Sequence, residues 1–175
     1  MWKIIRQIAR NGIRTETVPV PGDSVPLEAA RIQRKVLDIL GRALTIRMVD
    51  AGSCNGCELE INALGNPYYN IEGLGIKFVA SPRHADLLLV TGPVSRNMEE
   101  ALRRTFDAVP EPKLVVAVGD CGADGGIFGE SYASCGRIAS VIPVDLVVPG
   151  CPPAPIEILR GILTAVGRYP ATGVR

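Results

Sequence analysis

Leu44-Thr-Ile-Arg-Met-Val-Asp50-Ala-Gly-Ser-Cys54-Asn-Gly-Cys57-Glu-Leu-Glu60 is a β-rich run that passes through a glycine-containing turn into the start of a helix. Runs of the same texture recur at 75–80, 87–90, 114–118 and 146–148, and helical patterns fill 98–106 and 155–166. Short apolar runs alternating with helices predict an open, mostly parallel α/β sheet with flanking helices. In such sheets ligands sit beyond the carboxyl ends of the strands, so the residues just after each run carry the chemistry. Three of those positions hold cysteines. Cys54 and Cys57 follow the first run, Cys121 follows the fourth in Gly119-Asp-Cys-Gly122, and Cys151 follows the fifth in Pro149-Gly-Cys-Pro-Pro153.

Bulk properties fit this reading. A chain of 175 residues suits one domain of ordinary size. Hydrophobic residues make up 47%, yet there are only three Phe, four Tyr and one Trp, so the core must be aliphatic, as buried parallel strands require. A formal charge of +1 gives no global field for nucleic acid, and none is expected as a partner. No run reaches the roughly 18 apolar residues of a spanning helix, and residues 1–14 lack the continuous apolar core of a secretory signal. The expected location is therefore cytoplasmic, where five thiols point to a metal or to catalysis before a disulfide framework.

Four cysteines in loops at one sheet edge, flanked by glycine or proline, match the needs of a single [4Fe–4S] cluster. Such a cluster is held by four thiolates and tuned by backbone N–H groups from closely wrapped loops. Other uses of the same thiols are weaker. A zinc site usually draws on two short knuckles, whereas these ligands span nearly a hundred residues with two singletons. A Cys-x-x-Cys between strand and helix fits a dithiol oxidoreductase but leaves Cys121 and Cys151 without a role. Simple burial does not explain four loop positions. Cys135 follows no strand end and is expected not to ligate, its sharper alternative being that of a substitute ligand.

Before the first run, residues 1–43 read as an arm. Lys3, Arg6, Arg10 and Arg14 are unopposed by acids while Trp2, Ile4, Ile5 and Ile8 share one helical face, the pattern of a basic amphipathic helix that docks on a membrane surface or a partner. A proline-containing linker follows, then a helical pattern over 27–42. The iron–sulfur-binding α/β domain is expected to occupy 44–175.

Five segments carry a family resemblance: Cys54-Asn-Gly-Cys57-Glu-Leu-Glu, Ser81-Pro-Arg-His-Ala-Asp86, Gly119-Asp-Cys121-Gly, Gly125-Gly-Ile-Phe, and Ile142-Pro-Val-Asp-Leu-Val-Val-Pro-Gly-Cys151-Pro-Pro. From about Asp50 to Leu163 the chain resembles the small subunit of [NiFe] hydrogenases, in the short form of membrane-bound, energy-converting enzymes such as formate hydrogenlyase. The cluster-bearing subunit of respiratory complex I shares the architecture, but its first two cysteines are adjacent; here Asn55 and Gly56 intervene, as in hydrogenases. Uptake hydrogenases carry a twin-arginine leader and an extension for two more clusters, whereas this sequence ends soon after Cys151. The resemblance implies a flavodoxin-like sheet and one cluster, proximal to a nickel–iron centre in a separate large subunit. It implies electron transfer between that centre and a ferredoxin-like iron–sulfur subunit, with membrane subunits alongside, in a complex peripheral on the inner face of the cell membrane. By that reading the chain belongs to an oxidoreductase but does not turn over alone.

Glu58, Glu60, Arg83, His84 and Asp120 are candidates for tuning the cluster or passing protons. Each has a plainer reading, since carboxylates favour a helix N-terminus and the lone histidine can be structural. The glycine-rich segment 122–129 lacks the Lys-Ser/Thr ending of a phosphate loop, which speaks against nucleotide binding.

Overall fold

The computed structural model describes residues 41–168 throughout and, before them, only Trp2, Ile5, Arg6, Ala9, Arg34, Leu37 and Asp38. Those earlier positions are helical and exposed; the remainder of the expected arm and its docking face lies outside the described residues. Five strands form one parallel sheet: β1 (Leu44–Asp50), β2 (Ile76–Phe78), β3 (Leu87–Thr91), β4 (Leu114–Val118) and β5 (Leu146–Val148), in the order β2-β1-β3-β4-β5. This is the flavodoxin-like order, whose topological switch point lies between the first and third strands. Among residues 41–168, four α-helices accompany the sheet: α1 (Gly56–Ala63), α2 (Arg96–Ala108), α3 (Asp120–Asp124) and α4 (Pro155–Val166).

Why the central strands form is written in their side chains. Leu87-Leu-Leu-Val-Thr91 and Leu114-Val-Val-Ala-Val118 are buried at every position, as strands covered on both faces must be. Alternation sends Leu87, Leu89, Val116 and Val118 into one core with Ile61 of α1 and Ile158 and Ile162 of α4. It sends Leu88, Val90, Val115 and Ala117 into the other with Leu102 of α2, Ile138 and Ile142. Each wholly buried Leu or Ile contributes about 1.5–3 kcal/mol, so the two cores hold the three layers together. At Gly161 a Cβ would meet Val148 Cγ2 at 2.2 Å, which shows how closely α4 lies on β5.

The two edges of the sheet are built differently. At the amino ends, buried Asp86 accepts hydrogen bonds from Arg42, from the Thr45 N–H at 3.0 Å and from Thr45 Oγ1 at 2.7 Å, pinning the start of β3 to that of β1. At the carboxyl ends the loops with the cysteines gather. β2 is shorter than the expected 75–80, because Gly75 closes a preceding turn in left-handed geometry and pairing with β1 stops at Phe78. Helix α2 extends two residues beyond 98–106 at each end, and the short α3 has no apolar period that would announce it in the sequence.

Candidate functional site

The loop after β1 is shaped by its own polar side chains. Asp50 Oδ1 accepts the N–H groups of Gly52 and Ser53 at 2.8 Å each, an Asx-type turn that folds the chain back at the strand end. Ser53 Oγ then accepts the Asn55 N–H at 3.0 Å and donates to Glu58 Oε2 at 2.6 Å. Asn55 itself is left-handed, with φ of +70°, a conformation Asn tolerates better than most side chains. Cys54 thereby stands exposed in the loop, and Cys57 sits half-buried in the first turn of α1.

The other two cysteine loops are tied to each other. The Asp120 N–H donates to the Gly150 carbonyl at 2.9 Å, and Asp120 Oδ1 accepts the Gly150 N–H at 2.7 Å. Gly119, at φ of +85°, donates to the Val148 carbonyl at 2.8 Å. Half-buried Cys121 and exposed Cys151 are held in this pair of loops.

All three loops meet around the thiols. A Cβ on Gly119 would fall 2.7 Å from Cys57 Sγ and 3.3 Å from the Gly150 carbonyl oxygen. One on Gly126 would fall 2.7 Å from Cys121 Sγ, and one on Gly56 3.5 Å from Cys54 Sγ and 3.9 Å from the Pro152 ring. Glycine is therefore needed at 119 and 126 for backbone to lie against sulfur, the close wrap that lets main-chain N–H groups approach metal-bound thiolates.

Electrostatics show the same convergence. Burial, then the charges of Glu58, Cys54, Cys121 and Cys151, push the Cys57 thiol up to about 12. Burial, then Cys151 and Cys54, raise Cys121 as well. Four thiols that repel one another as anions become good thiolate ligands only when a strongly cationic group enters among them. Among the described residues, no three His, Cys, Asp or Glu side chains gather closely enough to hold a single metal ion.

Cys135 stands apart. It is buried, and its thiol donates to Glu99 Oε2 of α2 at 3.2 Å. Of the polar candidates, Glu58 and Asp120 lie at the thiols. Glu58 is 4% exposed, and its Oε1 has no hydrogen-bond partner. Glu60 is half-buried further along α1. Arg83 and His84 are not brought to the cysteines. They sit in a turn before β3, where the His84 carbonyl lies 2.6 Å from Thr45 Oγ1 and shares its one proton with Asp86, at the amino ends of strands about 16 Å long. Sequence reasoning expected close wrapping by the glycines that flank the cysteines but missed the roles of Asp50, Ser53 and the more distant Gly126; the Asp-x-Gly spacing at 50–52 was the available signal for the first.

With the thiols so placed, the comparison with known families follows. The family model described as NADH ubiquinone oxidoreductase, 20 Kd subunit, matches residues 54–165, a span that takes in all four cysteines. The chain belongs to this family. A probable membrane-bound hydrogenase subunit of Pyrococcus furiosus is 42% identical over 142 residues, 79% of this chain and 85% of that protein. Formate hydrogenlyase subunit 7 of Escherichia coli is 42% identical over 150 residues, 86% of this chain but 58% of that longer protein. An NADH-quinone oxidoreductase subunit of Desulfovibrio desulfuricans is 43% identical over 124 residues, 70% of this chain and 66% of its own. Among solved structures, a chain of the archaeal membrane-bound sulfane sulfur reductase superposes with a TM-score of 0.63 at 30% identity, covering 82% of this chain and 75% of that one. A chain of an NAD+-reducing [NiFe]-hydrogenase shares the fold, with a TM-score of 0.56 at 22% identity over 74% of this chain and 94% of its own. Family membership makes the chain an electron-transfer subunit of the hydrogenase and complex I type, and so part of an oxidoreductase.

Proposed function

We propose that this chain holds one [4Fe–4S] cluster on Cys54, Cys57, Cys121 and Cys151 and relays electrons next to the nickel–iron site of a membrane-bound hydrogenase. The observation that carries the reading is the meeting of three cysteine loops at the carboxyl edge, with Gly119 and Gly126 against Cys57 and Cys121 sulfur. When bound, the cluster would supply a one-electron redox centre. The protein's own part is positional. Asp50 and Ser53 shape the first loop, the Asp120–Gly150 pair joins the other two, and buried Glu58 adds a carboxylate beside Cys57. Cys54 and Cys151 are exposed, which leaves the site open towards a neighbouring subunit, as a relay needs.

Residues 44–175 would form the cluster-binding unit and 1–43 a docking arm. No helix among the described residues is long and apolar enough to cross a membrane; attachment on the inner face would run through the docking arm or partner subunits. Those partners would be the nickel–iron large subunit, a ferredoxin-like subunit and membrane subunits, as the hydrogenase relatives suggest. The family description and the relative from Desulfovibrio favour a second reading, the cluster subunit of a complex I-like quinone oxidoreductase. The Cys54-Asn-Gly-Cys57 spacing favours the hydrogenase.

Anaerobic isolation of the intact complex, with iron, sulfide, zinc and nickel analysis, separates the readings. About four irons and four sulfides assigned to this chain, with nickel in the complex, are expected. Stoichiometric zinc without iron would overturn the cluster assignment. Quinone-dependent activity without nickel would move the chain to the second reading.

A further inference from the structure

Away from the thiols, the edge of the sheet carries a second feature. β2 pairs with β1 only over Leu44–Ile46, so Arg47 to Asp50 have β3 on one side and no strand on the other. The notch opens as a cleft of about 320 Å³ lined by Arg47, Met48, Ile61, Asn62, Phe78 and the Val79–Ala80 turn. Its walls are largely apolar, with Phe78 41% exposed beside it. Arg47 brings the only formal charge in that lining, and its Nε is buried with no hydrogen-bond partner. None of the ion pairs among the described residues involves it.

A guanidinium stays charged at any physiological pH, and burying one of its N–H groups unpaired is costly. Nε–H is one tine of the fork with which Arg grips a carboxylate in bidentate fashion. An occupant with a carboxylate, which answers both the unpaired Nε–H and the positive charge, and with apolar surface for Met48, Ile61 and Phe78 fits this lining. The cleft is open, lies on an unpaired strand edge, and belongs to a chain of a family found in multi-subunit complexes. We propose that Arg47 is the receptor for an Asp or Glu side chain of an adjoining subunit, seated in this cleft. The inference rests only on the chain being a subunit of such a complex, so cluster content and its test are independent of it.

The test uses the intact complex. Arg47→Gln and, separately, Ala80→Glu, which places an acid at an exposed position on the cleft wall, are each expected to lower retention of the chain in the complex ten-fold or more at moderate salt. Arg47→Lys should retain it partly, and its new amine should be joined by carbodiimide to an Asp or Glu of the neighbouring subunit, read by peptide mass spectrometry. Iron content of the chain that remains associated should be unchanged. Normal retention of both Arg47→Gln and Ala80→Glu would overturn the proposal, as would a cross-link only to this chain's own acids. Unchanged assembly accompanied by Arg47-dependent binding of free acetate or phosphate would assign the cleft to a small anion and also overturn it.

Discussion

Asp120 grips Gly150 at both of its main-chain polar atoms, donating through its own N–H to the carbonyl at 2.9 Å and accepting the glycine N–H on Oδ1 at 2.7 Å. Each member of this clamp is followed directly by a cysteine, so the separation of Cys121 and Cys151 depends on it.

Removing the side-chain half leaves a partly buried Gly150 N–H without its acceptor, at a cost of about 1–3 kcal/mol. Asp120→Ala is accordingly expected to lower thermal stability and to reduce iron retained per chain, while Asp120→Asn, which keeps an acceptor oxygen, should hold most of both. Equal iron content in Asp120→Ala and the parent protein would show that the clamp does not matter to the site.

Gly119 combines a left-handed φ of +85° with a Cβ position 2.7 Å from Cys57 Sγ. A methyl there must displace the sulfur or the loop, so Gly119→Ala should abolish stable cluster content. Gly65→Ala is the control, because its nearest contact would be the Asn62 carbonyl at an ordinary 3.4 Å and its φ is not left-handed. Iron and sulfide analysis of both variants, expressed alike, decides the matter; similar losses in the two would refute the steric argument.

How far these features can be read from sequence depends on the range of the interaction behind them. The expected strands 114–118 and 146–148 and the helix 155–166 match the observed limits, since each is set by its own apolar pattern and by the flanking Gly119, Gly150 and Pro155. The gathering of Cys54, Cys57, Cys121 and Cys151 is legible because parallel topology sends every loop after a strand to one edge. Proximity in sequence to other motif residues groups Arg83 and His84 with them, yet the chain crosses back to the amino edge before β3 and carries both away. Glu58 reads in the sequence as favouring a helix N-terminus and does stand in the first turn of α1; its burial and its contact with the Ser53 hydroxyl depend on how the loop folds. The notch at Arg47 arises because β2 ends three residues into β1, which no periodicity encodes.

The assignment of ligands is tested by substitution. Cys135 donates to Glu99 Oε2, so Cys135→Ser, which keeps a donor, should leave the cluster's paramagnetic signal intact. Cys121→Ser and Cys151→Ser should lose or alter it. Equal loss of signal in all three would refute the choice of ligands.

The same Cys135–Glu99 contact carries a pH dependence of its own. The Cys135 thiol, and then the Arg103 guanidinium at 3.0 Å, hold the Glu99 carboxyl below its ordinary 4.5. A group whose folded pKa is depressed binds fewer protons folded than unfolded near that value, so its stabilising contribution is complete above 4.5 and is lost as pH falls through the folded value. Glu99→Gln removes the titration. In urea unfolding at a series of pH values, parent protein and variant should differ at neutral pH and converge as the solution is acidified below 4.5. The contribution is modest, because Glu99 is solvent-accessible and screened. A stability difference that stays constant across that range would show that the carboxylate's charge plays no part in holding α2 to the Cys135 loop.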